Sequence, residues 1–427
     1  MAPVRKKNGA KAWVIAVSMG YGHQRTAYPL RELAPDERVI CANDYDGIPE
    51  HDRFIWRESR NFYEFISRIQ RLPLIGDPLF RLYDRFQKIA NFYPRRDMSE
   101  PTLALEQIYK LIRKGWGKHL IEKLSLHPLP IVSSFFTPAF MAELHGYPGE
   151  IYCIVCDADV SRAREQLEPQ KSRIKYLVPT ERVAERLEYY GVRKENIRIT
   201  GFPLPKENIG STKLETVKKD LGKRLFRLDP EKNFYRTHVA LVEDYFGKFF
   251  YKPDGPLTVF FSVGGAGAQT EIALKAAKSL LPKIKSGDVK FIISAGIKQG
   301  VKDFFDGNLD GKVEILYEPD VNDYFRRFNE TLRMTDILWT KPSELSFYSA
   351  LGIPIIIAPP LGSQENFNRD WLTAKNSGIL QSDPNYAAEW LFDFLKEGRF
   401  AEAAVEGFIE TKKLGTFEIE KIISKGT

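Results

Sequence analysis

Short apolar runs, four to seven residues long, recur along this chain between stretches of helical period. In the first half they fall at 12–18, 38–42, 130–134, 150–156, 174–178 and 197–200. In the second half they fall near 257–263, 290–294, 312–316, 336–339 and 353–357. Gly, Pro or charge bounds each run, as it bounds buried parallel strands. The stretches between them suit helices: over Thr180–Tyr190, Thr180 is the expected N-cap and Gly191 the expected stop. The segment 53–123 breaks this rhythm with amphipathic helices interrupted by Pro73, Pro78, Pro94 and Pro101. A Pro-rich turn, Gly201-Phe-Pro-Leu-Pro205, is the expected domain boundary, and 206–256 reads as charged and irregular with a helical piece near Thr237–Phe249. The pattern predicts an α/β chain of two doubly wound domains, 1–205 and 206–395, with helices in 396–427 that fold back on the first.

Two strand–turn–helix elements sharpen this reading. Trp13–Ser18 leads into Met19-Gly20-Tyr21-Gly22-His23, and Leu257–Val263 leads into Gly264-Gly265-Ala266-Gly267-Ala268-Gln269, followed by a helix over 270–281. Each puts glycines where a strand meets a helix N-terminus, whose unpaired amides and positive dipole suit an anion. Two such elements in series suggest Rossmann-like domains facing each other across a cleft. The dinucleotide fingerprint is absent, because Gly20-Tyr-Gly22-His-Gln-Arg25 lacks the third glycine, and neither turn continues into Gly-Lys-Ser/Thr.

Composition changes the picture in two places. The 427 residues carry a net charge of +7, and 53–123 alone holds 15 Lys/Arg against 8 Asp/Glu together with twelve aromatics. That segment therefore accounts for the whole excess. It reads either as a cationic amphipathic surface or as a solvated insertion with its aromatics packed inward; no recognition motif for nucleic acid accompanies it. Three cysteines, Cys41, Cys153 and Cys156, are too few and too odd for a disulfide framework and fit a reducing compartment. Cys153 and Cys156, three apart on an expected strand, should point to opposite faces as core residues, which is poor metal or redox geometry. No run reaches the roughly 20 apolar residues of a membrane span, and Trp13–Val17 is too short for a signal-peptide core. The chain is expected to be cytoplasmic, resting at most on the inner face of a membrane.

The chemistry gathers at three places. His23 stands at the mouth of the first turn, where an imidazole can take a proton from an acceptor hydroxyl. Gly264, Gly265, Ala266 and Gly267 can form an amide nest for a diphosphate. Thr340-Lys-Pro-Ser-Glu-Leu-Ser346 opens a helix, and Pro359-Pro-Leu-Gly-Ser-Gln-Glu-Asn-Phe-Asn368 follows a buried strand. Gln364, Glu365 and Asn368 are groups that bind sugar hydroxyls in pairs and discriminate between similar substrates.

In this order the motifs resemble family 28 glycosyltransferases, which include the enzyme that adds N-acetylglucosamine to lipid I and the monogalactosyldiacylglycerol synthases. Further matches are Cys156-Asp157-Ala-Asp159 and the runs Tyr176–Thr180 and Ile199–Pro203. The resemblance covers about 12–43, 127–206 and 257–380. It implies the GT-B fold and inverting transfer from a nucleotide-diphosphate sugar, a UDP-sugar by analogy, to a hydroxyl of a lipid or lipid-linked acceptor. His23 would then be the base, with Gly20, Gly22, Asp157 and Asp159 on the acceptor side. Gly264, Gly265, Ala266 and Gly267 would hold the diphosphate, Ser343 and Glu344 would flank the donor, Gln364 and Glu365 would hold its sugar, and Asn368 would support their loop. No metal or other cofactor is implied, and no nucleic acid; the donor, the acceptor and an anionic membrane surface are the implied partners. The alternatives are a sugar-nucleotide epimerase of the same fold and a non-catalytic nucleotide-sugar-binding protein. The chain departs from the family pattern at Ser343-Glu344, where two glycines are usual, and at Phe347, where a ribose-binding glutamate is usual; Glu344, one turn earlier, is the candidate substitute.

Overall fold

The computed structural model describes residues 11–69, 89–246, 255–264, 267, 269–309 and 311–425. They form two compact units, one of residues up to Pro203 with Leu414 onward, the other Leu204–Lys413.

The first unit is built on a six-stranded parallel sheet: β1 Trp13–Ala16, β2 Ile40–Cys41, β3 Ile131–Ser133, β4 Ile151–Ile154, β5 Lys175–Val178 and β6 Ile197–Ile199. The spatial order is β2-β1-β3-β4-β5-β6, so the order reverses between β1 and β3. The period-two alternation divides the core. Ile15, Val17, Ile131, Ile151, Cys153 and Tyr176 pack on one face; Val14, Ala16, Val132, Tyr152, Ile154 and Leu177 pack on the other. A helix over Gly415–Lys425 covers the second face with Ile419 and Ile423. Its first residue must be glycine, because a Cβ there would meet the Phe202 carbonyl oxygen at 2.2 Å. The 20-residue helix Glu50–Ile69 opens the 53–123 segment. Its Trp56 is buried edge-to-face on buried Trp116, with centroids 4.7 Å apart, and Asp52 accepts from the Gly117 amide at 3.2 Å. These aromatics serve the core. Phe80 and Tyr83, and the span 70–88 as a whole, lie outside the described residues.

The second unit repeats the architecture with β7 Leu257–Ser262, β8 Val289–Gly296, β9 Glu314–Tyr317, β10 Ile337–Thr340, β11 Ile355–Ile357 and β12 Gly378–Leu380. Its parallel order, β12-β11-β10-β7-β8-β9, reverses between β7 and β10. Eleven of the twelve strands fall where the apolar runs predict them, with ends within two residues; β12 is additional. It approaches its neighbour closely: a Cβ on Gly378 would meet Ile357 Cδ1 at 2.6 Å.

Two expectations are corrected here. The stretch read as irregular, 206–256, is helical over Lys206–Ile209, Glu215–Leu228 and Asn233–Phe246, with Val217, Leu221, Leu225 and Leu228 turned inward. Its Arg224 is fully buried and donates to the carbonyls of Thr335 (2.7 Å), Leu351 and Gly352 (both 2.9 Å), while Arg227 grips Asp336 at 2.6 and 2.8 Å. The block 396–427 does not act as one piece. Arg399–Glu410 packs within the second unit, against Glu344–Leu351 and Glu215–Leu228, and only Gly415–Lys425 joins the first.

Candidate active-site residues at two switch points

In open α/β sheets, ligands bind beyond the strand ends where the strand order reverses. In the first unit the residues after β1 and β3 meet at that point. Gly20 caps the helix Tyr21–Ala27 at φ 98°, a value that favours glycine, while Gly22 lies inside the helix. His23 sits on the helix's first turn, and its Nδ1–H donates to the Ser134 carbonyl at 2.8 Å. A carbonyl oxygen can only accept, so the neutral ring carries its proton on Nδ1 and leaves Nε2 as the basic nitrogen. Phe135 holds the ring edge-to-face at 4.6 Å, and the Cys156 thiol donates to the same Ser134 carbonyl at 3.3 Å. His23 is thus fixed in position, tautomer and tilt by the loop after β3.

The acidic residues after β4 divide. Asp157 accepts from Arg164 at 3.1 Å at the partly open end. Asp159 is buried and accepts from Arg186 Nε and Nη2, both at 2.8 Å, from Arg182 Nε at 3.3 Å and from the Val160 amide at 2.9 Å. Its lone pairs are taken up by these donors, a structural engagement that stands beside the acceptor-side role expected of Asp159. The expectation that Cys153 and Cys156 face opposite ways also fails. The strand ends at Ile154, the chain turns, and both line one cavity with His23, Phe135, Phe136, Arg164, Glu165 and Tyr176. Both remain free thiols, as expected, and burial pushes the Cys153 thiol well up.

In the second unit three loops converge after adjacent strands β7, β10 and β11. Thr340 donates to the Ser262 carbonyl at 3.3 Å, linking the first two. Beyond β7, the Gly267 amide closes a turn on the Gly264 carbonyl at 2.7 Å; Gly265 and Ala266 lie outside the described residues. The turn ends at Gln269, held at φ 70°, and opens the 17-residue helix Thr270–Ser286, which has no side-chain cap on its first amides. Such amides suit an anion. Gln269 Nε2 donates to the Pro359 carbonyl at 2.9 Å, tying this turn to the loop after β11. In that loop Glu365 is ion-paired with Lys341 and accepts from the Leu361 amide at 2.7 Å. Asn368 is fully buried and donates to the Pro342 carbonyl at 3.4 Å, so it braces one loop against another. Gln364 Nε2 and Gln269 Oε1 are buried without a hydrogen-bond partner among the described residues. Unpaired buried amide atoms at a junction of loops are what a bound polar ligand would satisfy.

Ser343 caps a 3₁₀ helix, Glu344–Leu351, rather than an α-helix, and Glu344 is buried. Phe347 packs on Trp371 with centroids 4.9 Å apart, so at this position the chain has core rather than a carboxylate. Gln269, Lys341 and Glu165 are absent from the sequence-based set. The first two adjoin its motifs, whereas no local pattern marks Glu165. Among the described residues no group of three or more His, Cys, Asp and Glu is placed to hold a metal ion, and no helix is long and apolar enough to cross a membrane.

No family model matches the chain. It is 23% identical over 210 residues to a processive diacylglycerol β-glucosyltransferase of Bacillus licheniformis, and 24% identical over 212 residues to the Bacillus subtilis protein of the same description. Each match covers 48% of this chain, and the chain spans 45% of each relative's length. Among solved structures, the Acinetobacter baumannii MurG aligns over 75% of this chain and 78% of its own at 12% identity, with a TM-score of 0.42. The S. aureus MnaA–UDP co-structure aligns over 75% and 80% at 12% identity, with a TM-score of 0.46. With two doubly wound parallel sheets of the Rossmann-like kind, the chain has the α/β fold class of GT-B proteins and resembles family 28 glycosyltransferases.

Proposed function

We propose that the protein is an inverting glycosyltransferase that moves a sugar from a nucleotide-diphosphate donor, a UDP-sugar, to a hydroxyl of a lipid or lipid-linked acceptor. The observation that carries this reading is the position of His23 at the first sheet's switch point, on the turn after β1, with its Nδ1–H donated to the Ser134 carbonyl after β3. In the reaction the acceptor oxygen forms a bond to the anomeric carbon as the bond from that carbon to the diphosphate oxygen breaks. The acceptor proton passes to His23 Nε2. The developing negative charge stays on the nucleoside diphosphate, and the amides that open the helix Thr270–Ser286 offset it. Gln364 and Gln269 supply the unpaired donor and acceptor that sugar or phosphate oxygens and hydroxyls would fill. The curated relatives, described as diacylglycerol β-glucosyltransferases, favour a lipid acceptor and a glucosyl donor.

The test is transfer from UDP-glucose to dioctanoylglycerol by wild type and by His23→Ala, with UDP binding followed by thermal shift. The expected result is a loss of turnover of about 10²–10⁴-fold, typical of a missing general base, with UDP binding retained. Equal turnover in the variant removes the mechanism. UDP-sugar consumed without a glycolipid, but with a new UDP-sugar formed, would identify an epimerase.

A further inference from the structure

A continuous line of side chains runs from His23 to an ion pair on the next strand's loop. The His23 ring meets Phe135 edge-to-face at 4.6 Å, Phe135 meets Phe136 at 4.3 Å, and the Arg164 guanidinium lies 6.0 Å from the Phe136 ring centroid. Arg164 Nη1 then donates to Asp157 Oδ2 at 3.1 Å. Phe135 and Phe136 follow β3, Asp157 follows β4, and these strands are neighbours, so the line lies at the strand ends beside the switch point. Its members are not sealed in the core. The two phenylalanines are partly buried, and the Arg164 and Asp157 side chains keep 20% and 15% exposure.

The charges along this line cancel. A guanidinium is a planar fork for phosphate oxygens, but here a carboxylate already occupies it, and an incoming phosphate would meet that carboxylate's negative charge. Both groups are mostly withdrawn from water, so their fields are screened less than at an open surface. The neighbouring arginines offer no substitute. Arg25, on the helix of His23, is buried; Arg162 donates to the carbonyls of Ser99 (2.7 and 2.9 Å) and Gln166 (2.9 Å); Arg182 and Arg186 hold Asp159. A molecule bound against His23 therefore faces aromatic rings and a closed ion pair, which suit an uncharged alcohol with an apolar tail. We infer that Asp157 sets the charge class of the acceptor: by holding Arg164 it makes the site take an uncharged lipid alcohol and turn away lipids with a phosphate or diphosphate headgroup. Selection by a repulsive element is a common route to specificity. The inference rests on the reading of His23 as the acceptor's base.

The test is the ratio of two dissociation constants, which a general loss of folded protein does not move. Calorimetric titrations compare 1,2-dihexanoylglycerol, which is uncharged, with dihexanoylphosphatidylglycerol, which carries free hydroxyls and one negative charge. Wild type should prefer the uncharged lipid about tenfold or more, because like charges brought together at a site are costly. Asp157→Asn leaves the guanidinium without its carboxylate, and the preference should fall about tenfold or reverse, since a charge-assisted bond to phosphate becomes available. Asp157→Asn with Arg164→Gln removes that bond, and the preference should rise again above the single variant's. Wild type that binds both lipids equally or favours the anionic one overturns the inference. So does a single variant with the wild-type ratio, or a double variant as tolerant of the anion as the single. If neither lipid binds wild type, the lipid-acceptor reading fails by itself. The pair is then decided with glycerol against glycerol 3-phosphate: a gain for the phosphate in Asp157→Asn alone upholds charge selection, and its absence overturns it.

Discussion

Glu365 is held by the Lys341 ammonium and by the Leu361 amide at 2.7 Å, so the carboxylate proposed for the donor sugar is neutralised by a residue from the neighbouring strand's loop. Both side chains are mostly buried, at 21% and 14% exposure, so the pair is screened less than a surface one. Lys341→Met leaves the carboxylate with a single amide donor. Stability should fall by about 1–3 kcal/mol, the usual cost of an unsatisfied buried group, and the loop that carries Gln364 should loosen. The Kd for UDP-sugar is expected to rise about tenfold, read by calorimetric titration beside a urea melt. An unchanged Kd with reduced stability would separate this pair from the donor site.

The buried Glu165 carboxyl gives a pH dependence whose sign is opposite to that of most acids. In the unfolded chain it loses its proton near the ordinary value of 4.5; in the fold it keeps it to about 8. Between those values the folded state binds more protons, so stability falls as pH rises, by up to about 1.4 kcal/mol per unit, and this contribution levels off above 8. The groups around it are Arg162 and Arg164, which oppose the effect, and Tyr176, Tyr109, Tyr190 and Cys153, all with ionisation pushed upward by burial. Urea midpoints from pH 5 to 9 should decline for wild type and flatten for Glu165→Gln. Parallel curves for the two proteins would show that the carboxyl is ionised in the fold.

Asp159 and Arg186 form a bidentate pair that is almost wholly buried. Asp159→Asn strands the guanidinium charge, which typically costs 3–5 kcal/mol, whereas replacing both partners with apolar residues costs much less. The denaturant midpoint should therefore drop sharply for Asp159→Asn and recover in Asp159→Leu with Arg186→Met. Acceptor KM should be unchanged wherever the variants are folded. A raised KM in a variant of normal stability would place Asp159 on the acceptor side.

The strands were legible because buried parallel strands are nearly continuous apolar runs, and eleven short runs leave few other readings. β12 escaped because Gly378-Ile-Leu380 is three residues long and opens with glycine. The helix Glu215–Leu228 escaped for a different reason: charged residues crowd the outer face of a stripe of Val217, Leu221, Leu225 and Leu228. His23, Gly264 and Gln364 stand in motifs set by backbone turns, which are local and readable. Glu165 owes its importance to Tyr176, Cys153 and the loop after β1, which come together only in three dimensions. Asp159 enters the candidate set only through the resemblance of Cys156-Asp157-Ala-Asp159 to the family's motif; its partners lie on a helix 23 and 27 residues further on, which the local motif does not show.

Trp56 bears on whether the basic, aromatic segment rests on a membrane. Its ring is 3% exposed and packs edge-to-face on Trp116, so it serves the first unit's core rather than an outer surface. Arg53 and Arg57, by contrast, are about half exposed on the same helix. Trp56→Ala should cost about 3–5 kcal/mol, as large aromatic truncations in cores do. Flotation of the still-folded variant with anionic liposomes should match wild type. Reversing the charge at Arg53 and Arg57 should instead weaken flotation and its salt dependence, since each cation near such a surface contributes about 1 kcal/mol, with little change in stability. Loss of flotation in Trp56→Ala at unchanged stability would move that ring to the lipid face, and flotation indifferent to both changes would remove this helix from any membrane contact.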